Sequence, residues 1–396
     1  MLLVYPERMM SQEPANFLAI GKIVRHENRI NDLIPLDVDS YMGKCLNSPN
    51  DAAVRSNNDM NKLIVPEPVS AGLLLSYKCT SGCKHCMYAC QPKWDADWIS
   101  QADIKQYLSQ LSGRIKPSPY GPNNIDLNSG LHFTGGEPFL NFDLLTKATR
   151  IAQQLGIPST FVETNCYWCE NDDATEAKLT QLKDAGLNGI LVSVNPFILE
   201  HVPLERTERA IRIGKRIFRQ NAMVYQSFFY HQFRELGIDG TLSFEYYIKK
   251  AGIGSLRYAE LIPMGRLPYK LGHLFSKQSA ESFFDQSCQA RLTSPYHIHI
   301  DNYGNYIGGF CAGISLGDAH DLDLIFRGID LDSRPILTAL ATRIQELYKL
   351  GKKFGYQDLP EGYVSACHLC MDIRKHLVQQ TDEFEELRPR QIYSHI

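Results

Sequence analysis

The sequence predicts an α/β fold centred on a partial (β/α)6 barrel, with an N-terminal extension and a C-terminal α+β region. Two observations predict it. Between residues 72 and 262, short apolar runs alternate with amphipathic stretches of helical period, the pattern of parallel strands joined by crossover helices. Beyond residue 287 the period falls to two in Tyr296-His297-Ile298-His299-Ile300-Asp301, and Asn302-Tyr303-Gly304-Asn305 sits where a hairpin would turn. Six alternating units suit an open barrel better than a closed eight-unit one. The chain accordingly divides into residues 1–70, 71–265 and 266–396.

Taken in order, residues 1–70 lack a strong period; 17–25 read as a short strand, 37–45 as a short helix and 47–61, rich in Asn and Asp, as a loop. Strands are expected at 72–77, 130–134, 160–163, 189–194, 222–229 and 256–262. Between them, Ser100 caps a helix to 111, and Asn141 caps one over 142–155 whose Leu144, Leu145, Ala148, Ile151 and Ala152 form an apolar stripe. A helix over 174–185 closes on Gly186, a basic amphipathic one covers 204–218, and one over 244–251 ends at Gly252. Residues 336–354 read as one long amphipathic helix, and the tail from 366 as mostly helical and charged.

Composition narrows the function. A hydrophobic share of 44% over 396 residues supports a sizeable core, and a net charge of −3 leaves no basic footprint for nucleic acid. No apolar run approaches the ~20 residues a membrane-spanning helix needs, and the first residues lack the pattern of a signal peptide. A cytoplasmic location is therefore expected. In that setting eleven cysteines argue for metal rather than for a disulfide framework. They are Cys45, Cys79, Cys83, Cys86, Cys90, Cys166, Cys169, Cys288, Cys311, Cys367 and Cys370.

Cys79, Cys83 and Cys86 form a C-x3-C-x2-C triplet directly after Leu73-Leu74-Leu75. Three thiolates on one short loop can hold an iron–sulfur cluster and leave one iron of a cubane open for chemistry, much as a catalytic zinc keeps an open position. A zinc site or a structural cluster is the other reading. At the end of the second expected strand comes Gly135-Gly136-Glu137-Pro138, where glycines let a ligand approach the backbone and Glu137 offers a carboxylate.

The triplet followed by this turn resembles the radical S-adenosylmethionine (SAM) superfamily. The resemblance implies a reducing [4Fe–4S] cluster on Cys79, Cys83 and Cys86 whose open iron binds SAM. It places Gly135, Gly136, Glu137 and Pro138 at the SAM amino group and His85 near the adenine. It also implies reductive cleavage of SAM to methionine and a 5′-deoxyadenosyl radical that takes hydrogen from substrate. Glu163, Asn165, Ser193, Asn195 and Met264 fall where that family contacts SAM, though each reads equally as a cap or turn residue. Cys166 stands where a glycine is expected, and with Cys169 and Cys90 it offers extra thiols: a metal site, a redox pair or plain loop cysteines.

Cys288, Cys311, Cys367 and Cys370 resemble the auxiliary-cluster regions called SPASM and twitch, which implies a second [4Fe–4S] cluster; zinc on four cysteines is the alternative. By association the resemblance implies a peptide or protein substrate and an electron donor such as flavodoxin or ferredoxin; charge and apolar runs point to no nucleic acid or membrane partner. His297, His299 and the run Phe229-Tyr230-His231 are candidates to line the substrate site, the two hairpin histidines being expected to pack within the hairpin. Two other functions stay open: a cobalamin-dependent radical SAM methyltransferase, although Asp318-Ala319-His320 lacks the glycine of the usual cobalamin signature, and a non-enzymatic cysteine-rich metal-binding protein.

Overall fold

The computed structural model describes residues 61–396; the strand expected at 17–25, the helix at 37–45, Cys45 and nearly all of the loop at 47–61 lie outside the described residues. One seven-stranded sheet organises the chain, in the order β6-β5-β4-β3-β2-β7-β8. A two-stranded ribbon of β1 (Lys62–Leu63) and β9 (Ile329–Asp330) stands beside it.

Five strands of the large sheet are those the alternation predicts: β2 (Ser70–Leu74), β3 (Gly130–Thr134), β4 (Phe161–Thr164), β5 (Gly189–Ser193) and β6 (Ala222–Tyr225). They run parallel, each beside its predecessor. The crossovers are α1 (Gln101–Leu111), α2 (Phe142–Gln154), α3 (Asp172–Asp184) and α4 (Leu204–Phe218). Side-chain caps start three of these helices: Ser100 accepts from the Asp103 amide, Asn141 from Leu144 and Asn171 from Ala174. With helices against them β2, β3 and β5 are buried almost throughout, so they read as apolar runs rather than as alternation. Among the described residues no helix is long and apolar enough to cross a membrane.

The sixth strand expected at 256–262 is absent. A turn of 3-10 helix covers Ile253–Tyr258, and the Ser255 and Ala259 amides bond back to Gly252 and Leu256, so the donors a ladder would need are used locally. The fifth strand stops at Tyr225, and the rest of its expected span becomes α5 (Ser227–Glu235), which buries Phe229 and Phe233 at helical i, i+4 spacing. The helix expected over 336–354 is two, α6 (Pro335–Thr342) and α7 (Ile344–Lys353), parted at Arg343 in extended backbone. No proline or glycine breaks it: the Ile344 and Gln345 amides donate to the carbonyls of Gln286 and Phe284 instead of to the preceding turn.

The expected hairpin forms, from β7 (His297–Ile300) and β8 (Tyr306–Gly308). Its placement was not legible locally. β7 lies parallel to β2 on the side away from β3, with Ser70 opposite His297 and Gly72 opposite His299. Buried Asp301 secures the junction. Its carboxylate accepts from the Tyr303 and Asn305 amides at 3.0 and 2.9 Å, from the Asn305 side chain and, at 2.9 Å, from the Tyr77 hydroxyl beyond the end of β2. Replacing it leaves several buried donors unpaired. Asp301→Ala is expected to lower unfolding stability by about 3 kcal/mol, and Asp301→Asn by less, measured by urea titration. A loss for the alanine variant below about 1 kcal/mol would mean that the ladder alone holds the hairpin.

Candidate active site and thiol centres

The cysteine triplet sits on the loop that leaves the carboxyl end of β2. Tight turns shape it: the Cys86 amide donates to Cys83 and the Ala89 amide to Cys86, while the Ser81 amide points at the Cys79 sulfur at 3.4 Å. Trp94 closes the loop from below by stacking on Tyr77, ring centroids 4.6 Å apart, and donating to the Ala89 carbonyl.

The glycine turn after β3 clamps this loop. The Gly136 amide donates to the Ser76 carbonyl at 2.8 Å, and Glu137 to Lys78 at 3.0 Å. Gly135 has φ of +122°, and a Cβ on Gly136 would lie 1.8 Å from the Lys78 carbonyl oxygen. The backbone that needs both glycines is therefore the cysteine loop itself. Glu137 is fully engaged. Its carboxylate accepts from the Phe139 and Asn165 amides and from the Thr164 hydroxyl, joining the ends of β3 and β4. Burial raises its pKa to about 7 against these bonds. Asn165 continues the bracing, reaching the Thr80 and Ser81 hydroxyls at 3.1 Å each and the Cys79 sulfur at 3.8 Å.

A cavity of about 250 Å³ opens at these strand ends. Its lining includes Cys79, Cys83, His85 and Cys86, the turn Gly135-Gly136-Glu137, and Glu163, Asn165, Ser193 and Asn195. Asn195 caps the short helix Pro196–Leu199 with its oxygen and turns its amide nitrogen to His85 at 3.5 Å. The His85 ring stacks on Phe197, centroids 4.5 Å apart; burial, then the nearby Arg266 charge, hold its pKa at about 3, and its Nδ1 is buried without a partner. Pro138 begins a 3-10 turn and Met264 is buried in the core; neither lines the cavity.

Arg266 ends a run, 261–266, that the sequence sets near the site, but its role was missed. Its Nε donates to the Cys83 carbonyl and its Nη2 to Cys90, its own amide donates to Cys86, and buried Nη1 has no partner. The local signal was Gly265, whose φ of +62° lets the chain pass within a Cβ clash of the Cys86 and Met87 carbonyls. Burial pushes the Cys79 thiol up to about 12 and raises Cys83 and Cys90, whereas a hydrogen bond from Cys90 lowers Cys86. The Arg266 charge opposes the rise at each of the raised thiols.

Cys166 and Cys169 are fully buried, side by side, and neither lines the cavity. Cys166 has φ of +66°, which explains why a glycine suits that position. Phe229 is core on α5, outside the cavity lining, while His297 and His299 do line the cavity, with His132, contrary to the expectation that they merely pack in the hairpin.

A second thiol group gathers from distant segments: Cys288, Cys311 after β8, and Cys367 and Cys370 near the start of α8 (Ala366–Gln380). Their mutual repulsion registers in the raised pKa of Cys288, after burial. Arg291 donates to the Cys367 sulfur at 3.3 Å, and buried Arg374 bridges the Ala312 carbonyl and the Tyr393 hydroxyl beside Cys370. Neither sulfur group has the spacing of a single-ion site. Among the described residues the triad with ligand atoms within 4.8 Å of one another is His132, His297 and His299. Zinc, with Zn–S bonds of ~2.3 Å, would hold its sulfurs about 4 Å apart.

No protein-family model matches the sequence, and no curated protein does. Among solved structures, similarity extends to Streptococcus suis SuiB bound to S-adenosylmethionine, at TM-score 0.40 and 15% identity over 89% of this chain and 87% of that one. It extends also to anSMEcpe with bound AdoMet (TM-score 0.39, 13%, 82% and 95%) and to BtrN in complex with AdoMet and 2-DOIA (0.36, 12%, 70% and 89%). All three were solved with S-adenosylmethionine bound.

The clamp makes one outcome specific. Gly136→Ala forces its methyl into the Lys78 carbonyl, a backbone atom with no room to move. The variant is expected to lose the cysteine-loop conformation and to bind at most traces of iron after anaerobic reconstitution. Wild-type iron content in that variant would show that the turn does not govern the loop.

Proposed function

We propose that the chain is a radical SAM enzyme that takes a hydrogen atom from a peptide or protein side chain. Cys79, Cys83 and Cys86 would hold a [4Fe–4S] cluster, with S-adenosylmethionine in the adjoining cavity. The observation that carries this reading is the meeting of three thiols at the carboxyl end of β2 with the polar ends of β3, β4 and β5 in one cavity, at a spacing too wide for one ion. The residues fit the group. Three sulfur donors suit an iron–sulfur cluster, and His85 Nδ1 and Arg266 Nη1 are buried polar atoms still lacking partners beside it.

When bound, the cluster supplies the electron that splits SAM into methionine and a 5′-deoxyadenosyl radical. The chain's own residues prepare the place for it. Gly135, Gly136 and Glu137 hold the loop in shape, and Arg266 offsets part of the repulsion among four sulfurs. Cys90, next to Cys86, favours the thiolate a metal needs there. His85, neutral and flat on Phe197, offers an apolar face to a purine, and Ser193, Asn195 and Glu163 present polar groups to a ribose or an amino acid moiety. Cys288, Cys311, Cys367 and Cys370 would hold an auxiliary [4Fe–4S] cluster, with Arg291 donating to one of its sulfurs. The peptide or protein substrate follows from the likeness of this cysteine set to SPASM and twitch regions.

The test is anaerobic reconstitution followed by dithionite and SAM. Wild type is expected to be brown, to carry roughly eight irons as two cubanes and to release 5′-deoxyadenosine. Cys83→Ala should lose that product to background, and Cys311→Ala should fall to roughly four irons. A colourless protein holding zinc and no iron would overturn the proposal, and a corrinoid retained through purification would redirect it to methyl transfer.

A further inference from the structure

Below the thiols, toward the amino ends of the strands, the cavity floor carries three histidines that the chemistry above does not use. His132 lies on β3, two residues before its end, and His297 and His299 lie on β7. At ~3.3 Å per residue, His132 is roughly 7 Å deeper than the β3 terminus. Strands β3 and β7 do not touch each other; β2 lies between them. Gly72 on β2 is in register with both His132 and His299, so all three positions face the same side of the sheet. A Cβ on Gly72 would lie 2.5 Å from His132 Nε2 and 2.7 Å from His299 Nε2. The missing side chain is what lets imidazoles from two non-adjacent strands meet.

We propose that His132, His297 and His299 form a mononuclear site for a divalent transition-metal ion, with an open coordination position facing the cavity. The ligand atoms of the three rings lie within 4.8 Å of one another, and all three residues are buried. At His297 the ring nitrogens are sorted as a metal site requires. The Ser70 hydroxyl donates its single proton to the Tyr296 carbonyl at 2.7 Å, so at 2.6 Å from His297 Nδ1 it must accept the Nδ1 proton. That leaves the lone pair of a neutral His297 on Nε2. The Tyr88 hydroxyl, 2.9 Å from His299 Nδ1, holds that ring in orientation. A partner on the far nitrogen that fixes orientation and tautomer is the usual arrangement around metal-binding histidine. Glu163 brings a carboxylate oxygen to 3.7 Å from His132 Nε2, within reach of a water on the open position. Phe161 and Phe310 flank the rings.

Three neutral imidazoles with one free position suit zinc, iron, cobalt, nickel or copper rather than magnesium or calcium, which prefer oxygen. This site differs from both thiol groups in ligand type, and its test does not depend on SAM turnover.

The probe is Zn²⁺ alone, added to anaerobically cluster-loaded full-length protein and followed by gel filtration, metal analysis and zinc K-edge absorption. The expected result is one zinc per chain with a nitrogen or oxygen shell at ~2.0–2.1 Å. His132→Gln and His299→Gln should each weaken zinc by at least roughly 100-fold, and Ser70→Ala, which keeps all three ligands, by roughly 10-fold to 100-fold. Gly72→Ala should also abolish binding. A sulfur shell near ~2.3 Å, no zinc retained, or unchanged affinity in properly folded histidine variants would overturn the site. Should the histidine variants fail to fold, unchanged affinity in Ser70→Ala overturns it equally.

Discussion

Two backbone hydrogen bonds, from Gly136 to Ser76 and from Glu137 to Lys78, hold the end of β3 against the start of the cysteine loop. Everything at the top of the sheet depends on this contact. Without a side chain on Gly136 the two backbones can close to bonding distance, and the Glu137 carboxylate then reaches across to the end of β4. Asn165, next in β4's extension, returns the favour by bracing Thr80 and Ser81. Three strand ends are thus tied into one rim, and the thiols ride on it. A loop so fixed presents its sulfurs with little conformational entropy left to lose when a metal binds.

The electrostatics of the rim follow from the same closeness. Burial disfavours ionisation of Cys79, Cys83 and Cys90, and arginines answer the sulfur groups: buried Arg266 at the first, Arg291 and buried Arg374 at the second. Arginine suits the task because it keeps its charge when desolvated. A bound metal would add the remaining positive charge and draw the thiols into the thiolate form outright.

The strand–helix alternation through β6 was legible because each unit is local: an apolar run, a cap such as Ser100 or Asn141, and an amphipathic helix. Failures came where distant backbone competed for hydrogen bonds. The helix expected over 336–354 breaks at Arg343 because carbonyls near residue 285 take its amides, and the apolar run at 256–262 turns on itself instead of pairing. The cysteine triplet and the glycine turn were visible as motifs. Arg266 was not, since an arginine after a glycine in a long connection looks like any solvated charge until it is buried against Cys83 and Cys90.

By itself the sequence determined the class of fold, the parallel order of five strands, the hairpin at 297–308 and the two sets of cysteines, since each rests on periodicity or spacing within a short window. The pairing of β7 with β2 came from the assembled fold, because strand partners 227 residues apart are chosen by packing and register. That one pairing carries His297 and His299 over Gly72 to His132 and makes a floor for the cavity from residues that share no local pattern.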